Sequence, residues 1–555
     1  MCGILFSVQP TGSNLDEQWQ TLKAFNTKRG PDAQVQMSVD HGKWTLHFFS
    51  SVLHLRGPST VAQPLQDKHT GDVLCWNGEV FGGLDVPFGS NDTSIVMDML
   101  EKMNDFDTED QARTYLLKLV ARIEGPFAFV FWHQRFNNVW FSRDCLGRRS
   151  LLWRQDPEKF MLSSVAANDS AIAWEEIPSQ GVYRLKLSPS DSLQPELHPW
   201  SFDPVSELTM PFDRLNTAVP TDQDLQPVAD VNDMPAICAS METTMKDMTR
   251  TLDLAVQRRV ADIPHLSSSS PQPRVAILFS GGLDCIALAA LVHRHLPVHE
   301  PIDLLNVAFE NPRSVQARQN QKRSATNTPV RSTYDTPDRL TGKSGVQELR
   351  DMAPERQWHF VEVNVPFEEA MSYKQRIIDR MYPLDTVMDL SIAMALWFAA
   401  RGKGLLNGNE YQSEARVLIS GLGADEQLGG YSRHREAYKR GSWSELIKET
   451  QLDVDRISTR NLGRDDRIIS DHGKEARFPF LDTDLVRYLC QVPIQLKMDM
   501  RYERGVGEKL LLRHIVHQLG LPLASRNWKR AIQFGAKSAK MTDDDRGQKG
   551  QHKLA

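Results

Sequence analysis

Four short stretches of this chain carry residue types that could do chemistry. Cys2 is followed by Gly3. If Met1 is removed, one residue holds both a thiol and a free α-amine. An amine of pKa about 7.7–8.0 can take the proton of a thiol of pKa about 8.5, so such a nucleophile needs no histidine. On Cys2 alone, a small residue at the start of a buried strand over Gly3–Val8 is the plainer reading. Asn77-Gly78-Glu79 follows the apolar run Val73–Trp76. Asn77 can offer a side-chain N–H, and Gly78 a close backbone N–H, to a developing oxyanion. Glu79 and Asp92 could bind an ammonium group. Asn-Gly is also a common hairpin turn.

The third stretch, Ser280-Gly281-Gly282-Leu283-Asp284-Cys285, lies between the apolar run Val275–Phe279 and a helix-like segment, Cys285–His295. Two glycines permit a tight turn, and the helix N-terminus points N–H groups at an anion. A pyrophosphate-binding loop is expected, with Asp284 placed to hold Mg²⁺ against phosphate oxygens. Ser420-Gly421-Leu422-Gly423-Ala424-Asp425-Glu426 repeats the design after Val417–Ile419. Asp425 is then a second metal ligand facing Asp284. Two carboxylates and Mg²⁺ suit cleavage of ATP between its α and β phosphates. Thr341-Gly342-Lys343-Ser344 imitates the end of a P-loop, but Pro337 stands where its first glycine belongs and no apolar strand precedes it, so that reading is rejected.

The elements needed to position these residues can be read around them. Residues 2–185 form short strands such as Thr45–Leu55, Val73–Trp76, Phe127–Trp132, Val139–Ser142 and Lys159–Ser163. Helical stretches lie near Asp92–Met103 and Gln111–Ile123. Residues 186–245 are rich in Pro, Ser and Asp and read as a linker or irregular segment; Ser267–Pro271 reads as a loop. From 246 to 540 strands alternate with helices, with strand candidates at Val275–Phe279, Ile302–Phe309, Trp358–Val365 and Val417–Ile419, as a doubly wound parallel sheet requires. Residues 310–346 interrupt that pattern and read as an exposed insertion. The tail, 541–555, is charged and expected to be disordered.

A chain of 555 residues with 40% apolar and 25% charged residues is ordinary globular protein of several domains. A net charge of −6 gives no strong field toward nucleic acid or membrane. No apolar run approaches the roughly 20 residues of a membrane span, and the N-terminus lacks the pattern of a secretory signal. The six cysteines are scattered without a C-x-x-C pair, which argues for a reducing, cytoplasmic setting.

In order and spacing the N-terminal motifs resemble the class II (N-terminal nucleophile) glutamine amidotransferase domain. The likeness runs through Met1-Cys2-Gly3-Ile4, Arg29-Gly-Pro-Asp32, Gln63-Pro64, Asn77-Gly-Glu79, Asp92, Glu124–Phe129 and Arg143–Arg149. The C-terminal motifs resemble the synthetase domain of the asparagine synthetase family, through Asp385–Ser391, Gly429-Gly430-Tyr431, Gly473–Asp482, Glu508–Arg513 and Lys529–Gly535. Pro337-Asp338-Arg339 and Ser432-Arg433-His434 place the likeness with a divergent group of that family.

The resemblance implies an α+β N-terminal nucleophile domain with two antiparallel sheets between helices, followed by an α/β doubly wound parallel-sheet ATP pyrophosphatase domain. It implies that Cys2 forms a glutamyl thioester, that Asn77 and Gly78 make the oxyanion hole, and that Glu79 and Asp92 hold the glutamine amine. It implies ATP contacts at Ser280, Gly281, Gly282, Asp284, Ser420 and Gly421, and formation of asparagine from aspartate, glutamine and ATP.

Three positions depart from the family pattern. Val52 stands where an Arg holds the glutamine carboxylate, leaving Arg56 as a substitute. Leu422 replaces a Glu tied to amide formation. Ala531 aligns with the catalytic Lys, with Lys529 and Arg530 beside it. Two alternatives therefore stand beside the ligase: a catalytically impaired or non-catalytic binding protein on the same fold, and a ligase for a different carboxylic acid. A plain N-terminal nucleophile hydrolase would leave the ATP motifs unexplained. Expected partners are small molecules (glutamine, aspartate or another acid, ATP), not nucleic acid or membrane; a homodimer is an open option.

Overall fold

A computed structural model describes residues 1–168, 172–187, 193–265, 272–310, 332–541 and 550–554. The strand Gly3–Pro10 shows how the N-terminal half is layered. Alternate side chains leave a strand on opposite faces. Ile4, Phe6 and Val8 enter a core with Val130, Trp132 and Phe141, whereas Leu5 enters a separate cluster with Trp19 and Leu22 of the helix Glu17–Thr27. Gly3–Pro10 pairs antiparallel with Trp44–Val52 and Phe160–Ser163 in one six-stranded sheet. Val73–Gly78, Phe127–His133 and Asn138–Arg143 lie in a second antiparallel sheet of six. Its outer face carries the helices Asp92–Glu101 and Glu109–Arg122, the latter started by a capping box at Thr108. Two antiparallel sheets thus lie face to face between helices.

The second sheet runs past residue 185. Glu196–Pro199, inside the stretch expected to be irregular, pairs with Gly181–Lys186. Four residues at an edge show too little alternation to be read as a strand. The same stretch ends in an ordered helix, Ala239–Val260.

In the C-terminal half, Trp358–Val365, Ile302–Phe309, Val275–Leu278, Val417–Ile419 and Glu475–Arg477 are parallel neighbours in that order. An antiparallel hairpin, Lys403–Leu406 with Asn409–Gln412, extends one edge to give seven strands. Sequential strands depart from Val275–Leu278 in both directions, which makes it the switch point of the topology and opens a crevice at its carboxyl end. One face is covered by Ala239–Val260, Leu283–His295, Pro337–Met352 and Leu510–Gln518, through residues such as Leu252, Ile286, Leu349 and Ile515. The other carries Phe367–Met381, Val387–Arg401 and Leu462–Ser470 through Ile377, Met394 and Ile468.

The expected exposed insertion over 310–346 is corrected at its C-terminal end. Thr336 caps a helix that begins with Pro337 at its first turn, and Arg339, Gly342 and Val346 of that helix are buried. The Arg339 guanidinium donates to Asn306 Oδ1 at 2.7 Å, anchoring the helix to the neighbouring strand. Residues 311–331 lie outside the described residues, as does Ser267–Pro271. Within the expected tail, residues 550–554 bond to the segment before Val387–Arg401: Val387 N donates to His552 O, and Leu554 N to Asp385 O at 2.7 Å. No helix among the described residues is long and apolar enough to cross a membrane.

Candidate functional sites

Cys2, Asn77, Gly78, Glu79, Asp92 and Arg56, which sequence reasoning grouped, all line one small cavity of about 30 Å³. Cys2 and Asn77 are brought together by strands from different sheets. Cys2 N donates to Asn77 Oδ1 at 3.1 Å, which fixes the amide's orientation and leaves Asn77 Nδ2 buried without an acceptor. The Arg29 Nε donates to Cys2 O at 3.1 Å, and its Nη2 lies 2.6 Å from Asp466. Burial pushes the Cys2 thiol up, opposed by the nearby amino terminus. Burial also lowers the Met1 ammonium to about 5, against the pull of Glu475. With Met1 in place the cavity has room for one or two waters and none for an amino acid.

Val52 lines this cavity as an apolar wall. Arg56 reaches it, but its charge is already engaged. Nη1 lies 3.9 Å from both Glu79 Oε2 and Asp92 Oδ2 and donates to Val80 O at 2.6 Å; Nε meets Asp262 at 3.2 Å. Asp92, first residue of its helix, accepts from Val80 N at 2.8 Å. Sequence reasoning missed Glu475 and Arg477, which come from the C-terminal half. Arg477 lies 3.0 Å from Glu79 and 2.7 Å from Glu475, and Arg149 lies 2.9 Å from Glu475. Burial pushes the Glu79 carboxyl up while Arg477 pulls it back. For Glu475 burial is outweighed by Arg149 and Arg477, which bring it down to about 2. Both residues stood in the motif Gly473–Asp482, but only the fold shows that this short strand closes the Cys2 cavity.

The second cavity, about 1080 Å³, opens at the switch point. Ser280, Asp284, Ser420, Gly421, Asp425 and Lys529 line it. Gly281 and Gly282 form the turn behind. Gly281 has φ +77°, and a Cβ there would fall 2.5 Å from Thr341 O and Gly342 N, so the helix carrying the P-loop-like residues buttresses the Ser280–Asp284 turn. A Cβ on Gly421 would fall 2.8 Å from Asp284 Cβ, which places the two glycine turns against each other.

Asp284 and Asp425 do face a common point, and Lys509 occupies it. Its Nζ lies 2.6 Å from Asp284 Oδ2 and 2.6 Å from Asp425 Oδ1. Lys529 Nζ pairs with Asp425 Oδ2. Burial would raise the Asp425 carboxyl, but the two lysines hold it well below the usual range. Burial likewise works against the Lys529 ammonium, and Asp425 and Asp284 outweigh it and raise its pKa. Lys509 has φ +56°, a costly backbone for a side-chain-bearing residue, of the kind that persists where a site requires it. Its motif, Glu508–Arg513, was visible in the sequence but carried no assigned role. Two carboxylates spanned by one cation are hard-oxygen ligands of the number Mg²⁺ takes when phosphates supply the rest, so the pair fits that ion. Among the described residues no group of three or more His, Cys, Asp or Glu is placed to hold a metal. Leu422 and Ala531 line the same cavity, as does Asp338, 3.7 Å from Arg530.

The glutamine amidotransferase domain profile matches residues 1–182, and the asparagine synthase profile matches residues 268–446 and 438–547. The chain is 36% identical to the human asparagine synthetase domain-containing protein 1 over 98% of this chain and 95% of that one. It is 32% identical to an asparagine synthetase domain-containing protein of Drosophila melanogaster, over 97% and 98%. Its identity to asparagine synthetase [glutamine-hydrolyzing] 3 of Bacillus subtilis is 23%, over 92% and 84%. With both domains matched and near-full-length relatives above 30% identity, the chain belongs to the asparagine synthetase family of glutamine-dependent, ATP-using ligases, alongside the asparagine synthetase domain-containing proteins.

Proposed function

We propose that the chain is a glutamine-dependent, ATP-consuming amide-forming ligase, built as a glutaminase domain followed by an ATP pyrophosphatase domain. The observation that carries this reading is the Asn77 amide: its oxygen is held by Cys2 N, and its buried donor beside Cys2 waits for an acceptor. In this reading Met1 is removed and the Cys2 sulfur attacks the side-chain amide carbon of glutamine. The thiol proton passes to the Cys2 amine and on to the departing ammonia, while Asn77 and Gly78 hold the oxyanion. Glu79 and Asp92 bind the substrate ammonium, with Arg56 nearest its carboxylate. Water then frees glutamate from the thioester.

In the second cavity, Ser280, Gly281, Gly282, Asp284, Ser420 and Gly421 surround the ATP phosphates, and Lys529 offsets charge on them. Asp284 and Asp425 would hold Mg²⁺, which supplies further screening of that charge when bound. A carboxylate activated as its adenylate is then attacked at the acyl carbon by ammonia, and AMP leaves. Aspartate giving asparagine is the reaction the family name points to. A cytoplasmic setting belongs to the same reading.

A second reading, a nucleotide-binding protein that completes no amide, is favoured by Leu422 and by the lysine-bridged carboxylates. Incubation with [¹⁵N-amide]glutamine, ATP and a panel of acids separates the two. The ligase yields a labelled amide, and Cys2→Ala lowers that yield at least about 10³-fold while ammonia-supported turnover stays within about two-fold. ATP binding without any labelled amide or glutamate release would leave the second reading standing.

A further inference from the structure

The cavity around Cys2 is equipped for one end of an amino acid and not for the other. Three carboxylates line it: Glu79, Asp92 and Glu475. Arg56 is the one arginine or lysine among the described residues that line it. An ammonium placed there is drawn to the carboxylates, and a carboxylate placed there is repelled by them. Arg56 has little charge to spare. Its Nε meets Asp262 at 3.2 Å, its Nη1 donates to Val80 O at 2.6 Å, and Glu79 and Asp92 each lie 3.9 Å from Nη1. A substrate carboxylate would be the fourth on one guanidinium. Arg477, behind the lining, is shared in the same way by Glu79 at 3.0 Å and Glu475 at 2.7 Å. His54, also on the lining, donates through Nε2 to Gly57 O at 3.0 Å.

Val52 puts carbon on the wall at the position where the family pattern has an arginine. It ends the strand Trp44–Val52 and is 5% exposed. Ala33 is its partner in the next strand, and Asp32 N donates to Val52 O at 3.0 Å, so the backbone cannot turn another group in. A free carboxylate against that wall loses its hydration with no ion to replace it. An α-carboxyl tied up in an amide brings a neutral group there instead. The lining also reaches the surface. His54, Arg56, Val61 and Asn91 are half-buried, whereas Gln63, Trp76 and Asn77 are buried. A chain continuing from the α-carbonyl has its way out past the half-buried four.

Resting on the reading above that Cys2 attacks a side-chain amide, we propose that the preferred amide donor is a glutaminyl unit with a free α-amine and a blocked α-carboxyl, as at the first residue of a peptide, rather than free glutamine. The bonds made and broken are the same. Cys2 Sγ bonds to the side-chain amide carbon, the C–N bond breaks, and the thiol proton leaves on the ammonia. Water then adds at the thioester carbon, the C–S bond breaks, the sulfur recovers a proton, and a glutamyl peptide is released. Ammonia is the product with either donor, so the amide-forming half of the reading is untouched by the choice.

The test is ammonia release by the full-length protein, with loss of Met1 checked by mass spectrometry. The compounds are L-glutamine, its α-(N-methylamide), glutaminyl-glycine and N-acetylglutamine. The two blocked compounds are expected to turn over with kcat/KM at least about ten-fold above glutamine, the scale of one charged contact. Glutaminyl-glycine should leave as glutamyl-glycine, read by mass. N-Acetylglutamine, which has no ammonium for Glu79 and Asp92, should fall at least about ten-fold below glutaminyl-glycine. Cys2→Ala should abolish release from all four. Val52→Arg should raise kcat/KM for glutamine relative to glutaminyl-glycine at least about ten-fold, and Val52→Leu should leave that ratio within about two-fold. The series on the unaltered protein decides without any variant. Glutamine turned over as fast as the dipeptide, or faster, overturns the inference and leaves Cys2 as a glutaminase nucleophile. An unchanged ratio in a folded Val52→Arg protein also overturns it. No ammonia from any of the four compounds overturns the reading of Cys2 as a nucleophile, and the inference with it.

Discussion

The two cavities handle charge in opposite ways. Around Cys2 the charges are buried and interleaved: Glu79, Asp92, Glu475 and Asp466 alternate with Arg56, Arg477, Arg149 and Arg29. They are drawn from both halves of the chain. In the cavity at the switch point, the clustered charges Asp284, Asp425, Lys509 and Lys529 all come from the C-terminal half and gather at a roomy crevice. A buried charge costs several kcal/mol unless paired, so the Cys2 site is complete only when the C-terminal half supplies its arginine and glutamate. The nucleotide site makes no such demand on the N-terminal half.

Arg477→Met strikes at that difference most directly. Arg477 pairs with Glu79 and Glu475 and donates to Arg259 O at 2.7 Å, all in the interior. Removing it leaves Glu79 with only Arg56, 3.9 Å away, and Glu475 with Arg149 alone, and the expected loss is about 3 kcal/mol in denaturant unfolding, with glutaminase activity lost under conditions where the protein remains folded. Adding Glu79→Gln should restore part of the stability. A loss below about 1 kcal/mol would mean that the Cys2 site does not depend on its neighbour.

Lys509→Met is the matching change at the other cavity. It releases both carboxylates from their shared ammonium and, in the ligase reading, removes a cation from around the ATP phosphates. Pyrophosphate exchange should fall about 10²-fold, the usual scale for a positioned charge that acts on the transition state. Glutamine hydrolysis should stay within about two-fold, because Lys509 does not line the Cys2 cavity. If both activities fall together, the two sites are not independent and the comparison fails.

What could be read without coordinates follows the same division. The glycine turns and their carboxylates are local in sequence, and a strand, a turn and a helix are enough to place them; Ser280, Asp284, Ser420 and Asp425 indeed share one cavity. Cys2, Asn77 and Asp92 were also grouped, because their motifs resemble a known domain. The partners that close each site were not legible. Arg477 reaches Glu79 across 398 residues, and Lys509 reaches Asp284 across 225; no periodicity encodes such a meeting. Arg339 shows the opposite failure. Polar residues over 310–346 suggested exposure, whereas this arginine is buried by bonding to Asn306.

The smallest expected effect concerns Asp338, at the start of the helix that buttresses the Ser280 turn. Burial pushes its carboxyl up to about 7, and Arg530 and Lys529 pull back only in part. A carboxyl held above its ordinary value contributes stability in full below about pH 4, and that contribution is lost as the pH rises through 7. Asp338→Asn keeps the shape and removes the titration. The variant should match the wild type in urea unfolding at pH 4 and exceed it at pH 8, by on the order of a few kcal/mol. ATP affinity should follow, since a neutral Asp338 does not repel phosphates: the wild type should bind ATP more weakly at pH 8 than at pH 6, and Asp338→Asn should flatten that slope. Parallel unfolding curves for the two proteins would show an ordinary carboxylate at this position. The nucleotide cavity would then be as fully charge-matched as the cavity around Cys2, and the contrast between the two would shrink to which halves of the chain supply the charges.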